Sequence, residues 1–367
     1  MISLINRTKK RIAILLIAMI PILSLSANEP TAIQEGEMDV KNVVFGHIGD
    51  SYEWHITTWG KTHVTVPLPV ILRGNDGRWH CFLSSAFHHS PDGVYDSFYI
   101  ASGNSPYAGK IVEKNASDEE VRPLDLSLTK TAFALLFNSI LLCIIILSVA
   151  HWSKKNKNKA PKGFVGFMEM FIMDINDNVI KASIGKGYER YAPYLLTVFF
   201  FIFINNIMGL IPIFPGGANV TGNIAITLFL ACCTFIVTNL NGKKEYWKEI
   251  FWPEVPLLLK PIMIPIEIVG IFTKPFALMI RLFANIMAGH SVILSLVCLV
   301  FITASMGPAM NGSMTVVSVL FGIFMNCLEL LVAYIQAYVF TMLSAVFIGL
   351  STAEHAEHSV GEVKESI

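Results

Sequence analysis

Apolar residues in this chain fall into long blocks separated by short polar stretches, and the blocks do not alternate as strands or half-buried helices would. The clearest blocks run from Ala132 to Ala150, from Ala192 to Phe214 and from Ile224 to Leu240. Two longer ones follow, roughly Pro261 to Met306 and Thr315 to Leu350. A bilayer core needs about 20 residues of helix, so the pattern predicts about five crossings. A helix from Thr315 to Leu350 would be about 50 Å long, so it must tilt steeply or lie partly along the membrane. The expected fold is an all-α polytopic membrane protein whose last two helices are long and steeply tilted, with a small exported N-terminal region.

The start of the chain has a different pattern. Arg7, Lys9, Lys10 and Arg11 precede an apolar stretch from Ile12 to Leu25, and the small residues Ser26 and Ala27 follow. That order predicts a signal peptide over 1–27; the alternative, an uncleaved anchor helix, has to accept a stretch short for a span. Residues 28–125 are polar. Turn signals stand at Gly74-Asn75-Asp76-Gly77 and Pro91-Asp92-Gly93, and short alternating runs at His63–Val66 and Tyr95–Ile100 predict a few strands. This segment reads as an exported, periplasmic extension. A transmembrane helical domain is expected over 126–352 and a polar cytoplasmic tail over 353–367.

Loop charge sets the orientation. Lys154, Lys155, Lys157, Lys159 and Lys162 follow the first block, and Lys243, Lys244 and Lys248 follow the third. Loops 215–223 and 307–314 carry no Lys or Arg. The positive-inside rule therefore places the N-terminus outside and the C-terminus inside, and Trp152, Trp247 and Trp252 suit a cytoplasmic aromatic belt. Between the first two blocks, residues 163–185 predict a partly amphipathic helix. Its stripe of Phe164, Phe167, Met168, Phe171 and Ile172 is expected to rest on the membrane surface.

Composition agrees with a membrane protein. Hydrophobic residues make up 53% of the 367 positions and charged ones only 15%, too little polar surface for a soluble domain. Lys+Arg and Asp+Glu both total 27, so no basic footprint points to nucleic acid. Five of the six cysteines lie in apolar runs and Cys81 stands alone, which excludes a disulfide framework and a zinc ribbon. Six histidines fall within 28–125 (His47, His55, His63, His80, His88 and His89), but their spacing matches no metal-ligand pattern. No metal or cofactor is expected.

The informative residues are polar groups inside the last two blocks: Glu267, Lys274, Arg281, Asn285 and His290, then Asn326, Glu329 and Gln336. An arginine at mid-membrane costs about 2.5–3.5 kcal/mol on insertion scales, so its presence there is a functional hypothesis unless an ion pair with Glu267 or Glu329 explains it. Glu267, Lys274 and Arg281 recur every seven residues, each lagging the last by about 20°, so all three share a helix face. Asn285 continues that face, whereas His290 lies about 180° around from Arg281. Glu329 and Gln336 share a face of the last helix. Imidazole titrates nearest neutrality and a buried carboxylate can be tuned toward it, whereas a guanidinium does not deprotonate. One helix thus offers a fixed cation on one side and a proton-exchanging group on the other. A packed, hydrogen-bonded core histidine remains the alternative for His290.

The run Lys274-Pro275-Phe276-Ala277-Leu278-Met279-Ile280-Arg281-Leu282-Phe283-Ala284-Asn285, followed by Ala288-Gly289-His290, resembles the signature of subunit a of F-type ATP synthases. Glu329 with Leu331–Phe340 is similar to that subunit's final helix, and Phe203–Pro212 (with Asn205 and Asn206) and Ile264-Pro265-Ile266-Glu267 also match. The resemblance covers about residues 125–355. In another branch of the family the acid and the histidine are exchanged between positions 290 and 329. The resemblance implies a stator that faces a ring of c subunits and conducts protons through two half-channels to and from their carboxylates. Arg281 would be the electrostatic gate, and His290, Glu329, Gln336, Asn285, Asn206 and, on the inner side, Glu267 would form the proton pathway. It also implies the c-ring and b subunits as partners, the soluble ATPase sector indirectly, membrane lipid around the helices, and a place in the bacterial inner membrane. No GxxxxGK[ST] loop occurs, so nucleotide chemistry belongs to partner subunits.

Two other classes keep intramembrane polar groups. A secondary cation or proton transporter with an arginine gate should show two similar halves with matching broken helices, and none is visible. An intramembrane hydrolase should carry GxSxG or HExxH, and neither occurs.

Overall fold

The computed structural model describes residues 49–353 apart from 60–61, 91–92, 102–104, 116–118, 157–158, 212–213 and 254. The expected signal peptide and all but the first residue of the expected tail lie outside the described residues. The chain forms two compact units. One takes in residues up to Leu136 together with Pro212–Ala218, and the other takes in Phe137–Ile211 and everything from Asn219 onward.

The first unit is built of short strands, as the alternating runs predict. Strands β1 (Glu53–Trp59) and β2 (Thr62–Pro67) pair antiparallel. A second sheet has the order β4-β3-β8, from Trp79–Leu83, Pro69–Arg73 and Leu124–Asp125. A third has the order β5-β6-β7, from Phe98–Ile100, Ile111–Lys114 and Glu120–Val121. The β3–β4 connection is the expected glycine turn, with Gly77 N donating to Gly74 O at 3.0 Å and Gly77 at φ 75°. A core of Tyr52, Val70, Leu72, Phe87, Phe98 and Ile111 sits behind the strands. The unit is fastened to the start of the first long helix. Asp50 Oδ1 accepts from Thr131 N at 3.0 Å, Lys130 N donates to Ser51 O at 2.8 Å, and the Trp54 ring meets Phe133 edge-on at 5.8 Å. Among the described residues no group of His, Cys, Asp and Glu is arranged to hold a metal ion.

The second unit is helical. After the short helix α1 (Ala86–His89), the long helices are α2 (Lys130–Lys155), α5 (Ala192–Leu210), α6 (Ile224–Leu240), α8 (Lys260–Thr303) and α9 (Pro308–Thr352). Four are long and apolar enough to cross a membrane. A fifth crossing appears if α6 and the bent continuation α7 (Lys244–Phe251, 101° away) count as one span. Two boundaries differ from the pattern. Helix α5 stops at Leu210 rather than Phe214, because Pro212 holds Ile211 in an extended conformation with ψ 111°. The expected loop 307–314 is not a loop: α9 starts at Pro308, and only the 3-10 turn Ala304–Met306 and Gly307 join it to α8. Gly307 takes φ 104°, which only glycine adopts without strain, and proline favours the first helical position after it. Helices of 44 and 45 residues are each about 66 Å long, well over the bilayer core.

Helix α9 packs against α5, α8 and α6. Its buried face includes Glu329, Ala333, Gln336, Ala337, Phe340 and Ser344, which recur at helical spacing. Small residues there let backbones approach, most closely at Gly349, where a side chain would collide with the Ser183 carbonyl. The segment 163–185 is helical, as α3 (Phe164–Asp174), a π-helical stretch (Ile175–Lys181) and α4 (Ala182–Ile184). Its apolar stripe does not rest on the membrane surface as a whole. Met168 is buried, and Phe171 stacks on Phe203 at 5.9 Å and meets Tyr334 edge-on at 5.8 Å. Phe164 and Phe167 stay exposed, with Met170 and Met173. Periodicity identifies an apolar face but not whether lipid or another helix covers it.

Candidate functional site

The polar groups in α8 and α9 separate by face. Leu278, Leu282 and Ile286 make the buried stripe of α8, and Arg281 and Asn285 stand on its exposed side. Among the described residues Arg281 makes neither an ion pair nor a hydrogen bond. The internal ion-pair alternative therefore has no counterpart: Glu267 is half-buried with no ion pair, and Glu329 bonds elsewhere. Lys274 is half-buried, its Nζ 5.8 Å from the Phe347 ring centre, and it borders a cavity of about 20 Å³ shared with Thr238, Asn239 and Tyr246. That is room for about one water.

His290 lies on the other side of α8 and its Nδ1 is bonded to Glu329 Oε1 on α9. Both side chains are largely buried, and Glu329 Oε2 has no hydrogen-bond partner among the described residues. The fold thus brings together two titratable groups that stand 39 positions apart in the sequence. One imidazole nitrogen is committed to the carboxylate, which leaves His290 Nε2 and Glu329 Oε2 as the outer polar atoms of the pair. Gly289 leaves room for the carboxylate: a Cβ there would stand 3.0 Å from Glu329 Oε1 and 3.2 Å from its Cδ, tight enough that the carboxylate would have to shift.

Gln336, seven residues beyond Glu329, is buried on the same face. Asn206 is buried too; its Nδ2 donates to Ala333 O at 3.3 Å, one turn beyond Glu329, and its Oδ1 accepts from Thr221 at 2.6 Å. Sequence reasoning did not single out Asn138, Asn219 or Thr221, which extend this polar seam. Asn138 Nδ2 on α2 donates to Asn205 Oδ1 at 3.0 Å, and Asn138 Oδ1 and Asn219 Nδ2 are buried without partners among the described residues. Asn138 is detectable by the criterion that found Glu329, since it is an amide inside an apolar span.

Two antiparallel helices of 44 and 45 residues that keep an arginine, unpaired among the described residues, on one face and a buried imidazole–carboxylate couple on another define a class: a polytopic membrane protein that handles ions within the bilayer. The comparisons narrow it. The family model described as ATP synthase A chain matches residues 135–349, and a domain of unknown function, DUF8433, matches residues 43–126. The chain is 46% identical over 245 residues to ATP synthase subunit a of Chlorobium phaeobacteroides, covering 65% of this chain and 69% of that one. It is 46% identical over 255 residues to ATP synthase subunit a 2 of Chlorobaculum tepidum (67% and 69%) and 41% identical over 243 residues to ATP synthase subunit a of Myxococcus xanthus (64% and 76%). The chain belongs to the ATP synthase A chain family. A secondary transporter is not favoured.

Proposed function

We propose that this chain is the proton-conducting stator of a rotary ATP synthase in a bacterial inner membrane, and that Arg281 and the His290–Glu329 couple carry its two tasks. The observation that carries the reading is the division of charges between faces. Arg281 is exposed and unpaired among the described residues, while the nearest acid on α9 is engaged by His290. A guanidinium held this way is available to an acid outside the chain, which in this family's complex is the carboxylate of a passing c subunit. It keeps that carboxylate ionised and, because it does not deprotonate, blocks direct leakage between the two half-channels.

Protons from the outer side reach the couple along the seam of Asn206, Thr221 and Gln336. Buried amides and hydroxyls need partners, so a seam rich in them accommodates water where an apolar one would not. The imidazole takes a proton on one nitrogen as it releases one from the other, and the buried carboxylate steadies the charged form. Glu267 and the cavity beside Lys274 are the candidates for the inner side. One charge crossing 100 mV carries about 2.3 kcal/mol, so several translocations are needed per ATP and a leak would waste them. The c-ring and the b subunits are the partners in this reading, with residues 28–125 outside and the tail inside the cell.

The reading is tested in inverted membrane vesicles holding the whole synthase, by following ATP-driven acidification with and without sodium. Acidification that needs no sodium and disappears in Arg281→Ala supports it. Pumping that survives the substitution overturns it.

A further inference from the structure

The β4-β3-β8 sheet of the first unit is apolar on both faces. Val70 and Leu72 point into the unit's core, as an antiparallel sheet requires. The opposite face should be polar if water covers it, and it is not. On β4 it presents Trp79 (56% exposed), Cys81 and Leu83 (50%); beside β3 it presents Leu124 (55%) and Leu126 (60%). The pairing makes these neighbours: Arg73 lies between Trp79 and Leu124, and Ile71 lies beside Cys81 and, through Leu126 N donating to Ile71 O at 3.0 Å, beside Leu126. Arg73 is the one charged residue among them, and its guanidinium stands 6.0 Å from the Trp79 ring centre.

We propose that this sheet face lies on the lipid headgroups of the bilayer that α2 enters. Continuity with the membrane helix argues for lipid as the occupant. Leu126 precedes the first residue of α2, Lys130, by four residues, an extended reach of about 13 Å. That connection is pinned at Leu128 N to Pro69 O (3.0 Å) and Lys130 N to Ser51 O (2.8 Å), so the sheet cannot swing away from the helix start. The headgroup layer is about 5–8 Å deep on each side, so even a fully extended connection of about 13 Å leaves Leu126 close to it. The chemistry fits as well: a tryptophan prefers the membrane–water interface, an arginine on its ring can reach lipid phosphate, and leucines bury without needing hydrogen bonds. A contiguous exposed apolar patch of this kind needs a cover in any case. The proposal rests on α2 spanning the membrane, not on the roles of Arg281 or His290.

Native Cys81 is the probe. In the whole synthase, with every other accessible cysteine replaced and the complex reconstituted in vesicles of phosphatidylethanolamine and phosphatidylglycerol, Cys81 receives a nitroxide label. A label at Asn75→Cys, in the β3–β4 turn, is the aqueous reference. Oxygen, which concentrates in lipid, should relax the Cys81 label more than a water-soluble nickel chelate does, with the order reversed at position 75. Equal or greater relaxation by the chelate at Cys81 means that the face is in water and overturns the proposal. Shielding from both reagents means that a protein surface covers it and overturns it equally. Pumping is measured on the same vesicles, so failure of the stator reading and failure of this one are seen separately.

Discussion

The Glu329 carboxylate lies against the bare backbone of Gly289, so closely that a methyl group at position 289 would stand 3.0 Å from Oε1. The crowded atoms are the end of a side chain rather than backbone, so the chain should still fold when this space is filled, but the carboxylate has to move. Gly289→Ala is therefore expected to leave assembly intact and lower ATP-driven proton pumping several-fold. Gly289→Val should lower it further. Pumping equal to wild type in the Val variant would show that the close approach is incidental.

Arg281 has no bond within the described chain to lose. Arg281→Ala should accordingly assemble with the rest of the synthase and abolish ATP synthesis driven by a proton gradient. Arg281→Lys should rescue it poorly, because an ammonium lacks the planar fork and loses its charge more readily when desolvated. Synthesis rates in energised vesicles, compared with the amount of assembled complex, decide it.

The bond between His290 and Glu329 makes their substitutions non-additive. Removing either partner leaves the other as a buried polar group, at a cost of about 1–3 kcal/mol, and should slow proton flux without raising passive leak past Arg281. Exchanging them, His290→Glu with Glu329→His, should restore more pumping than either single exchange. A purely additive loss would return His290 to the status of a packed core histidine.

In the first unit, His80 Nδ1 is 2.6 Å from Asp96 Oδ2 and Nε2 is 3.4 Å from Asp76 Oδ2. Burial is the largest single influence and pulls the imidazole pKa down, but the bonds and charges of Asp96 and Asp76 together outweigh it and leave the pKa raised. A raised folded-state value means that the ion pairs add stability at pH below about 6.5, and that this is lost as pH rises through the folded value. Limited proteolysis of the intact complex should find His80→Gln more easily cut than wild type near pH 5.5, with the difference shrinking toward pH 8.5. A difference that grows with pH would contradict the assignment.

Orientation is open to chemical labelling. Lys159→Cys should react with an impermeant maleimide only from the cytoplasmic side, as the lysine asymmetry predicts. A cysteine at Asn75 should react only from outside. Labelling of position 159 in intact cells would invert the scheme.

The crossings were legible because a span must be long and apolar whatever it packs against, and the core of each expected block is helical in the structure. The stretch at 307–314 misled because Asn311, Gly312 and Ser313 look like a loop in composition. The more informative signs were Gly307 and Pro308, which mark the start of a helix. The separate faces of Arg281 and His290 follow from helical geometry alone. The meeting of His290 with Glu329 does not, since it depends on how two helices pass each other, and neither does the space at Gly289. The fate of the 163–185 stripe was equally hidden, because Phe171 is as apolar against Tyr334 as it would be against lipid.

The hairpin that turns at Gly307 also works as a ruler. His290 and Glu329 are bonded across it with 38 residues between them (329 − 290 − 1). One residue added to either arm would rotate its partner by about 100° and carry it off the shared face. The arms could lengthen only in step, by about seven residues each, for the imidazole to meet the carboxylate again. An insertion or deletion in this stretch should therefore cost more proton flux than most substitutions within it, even where the new residues are apolar and helical.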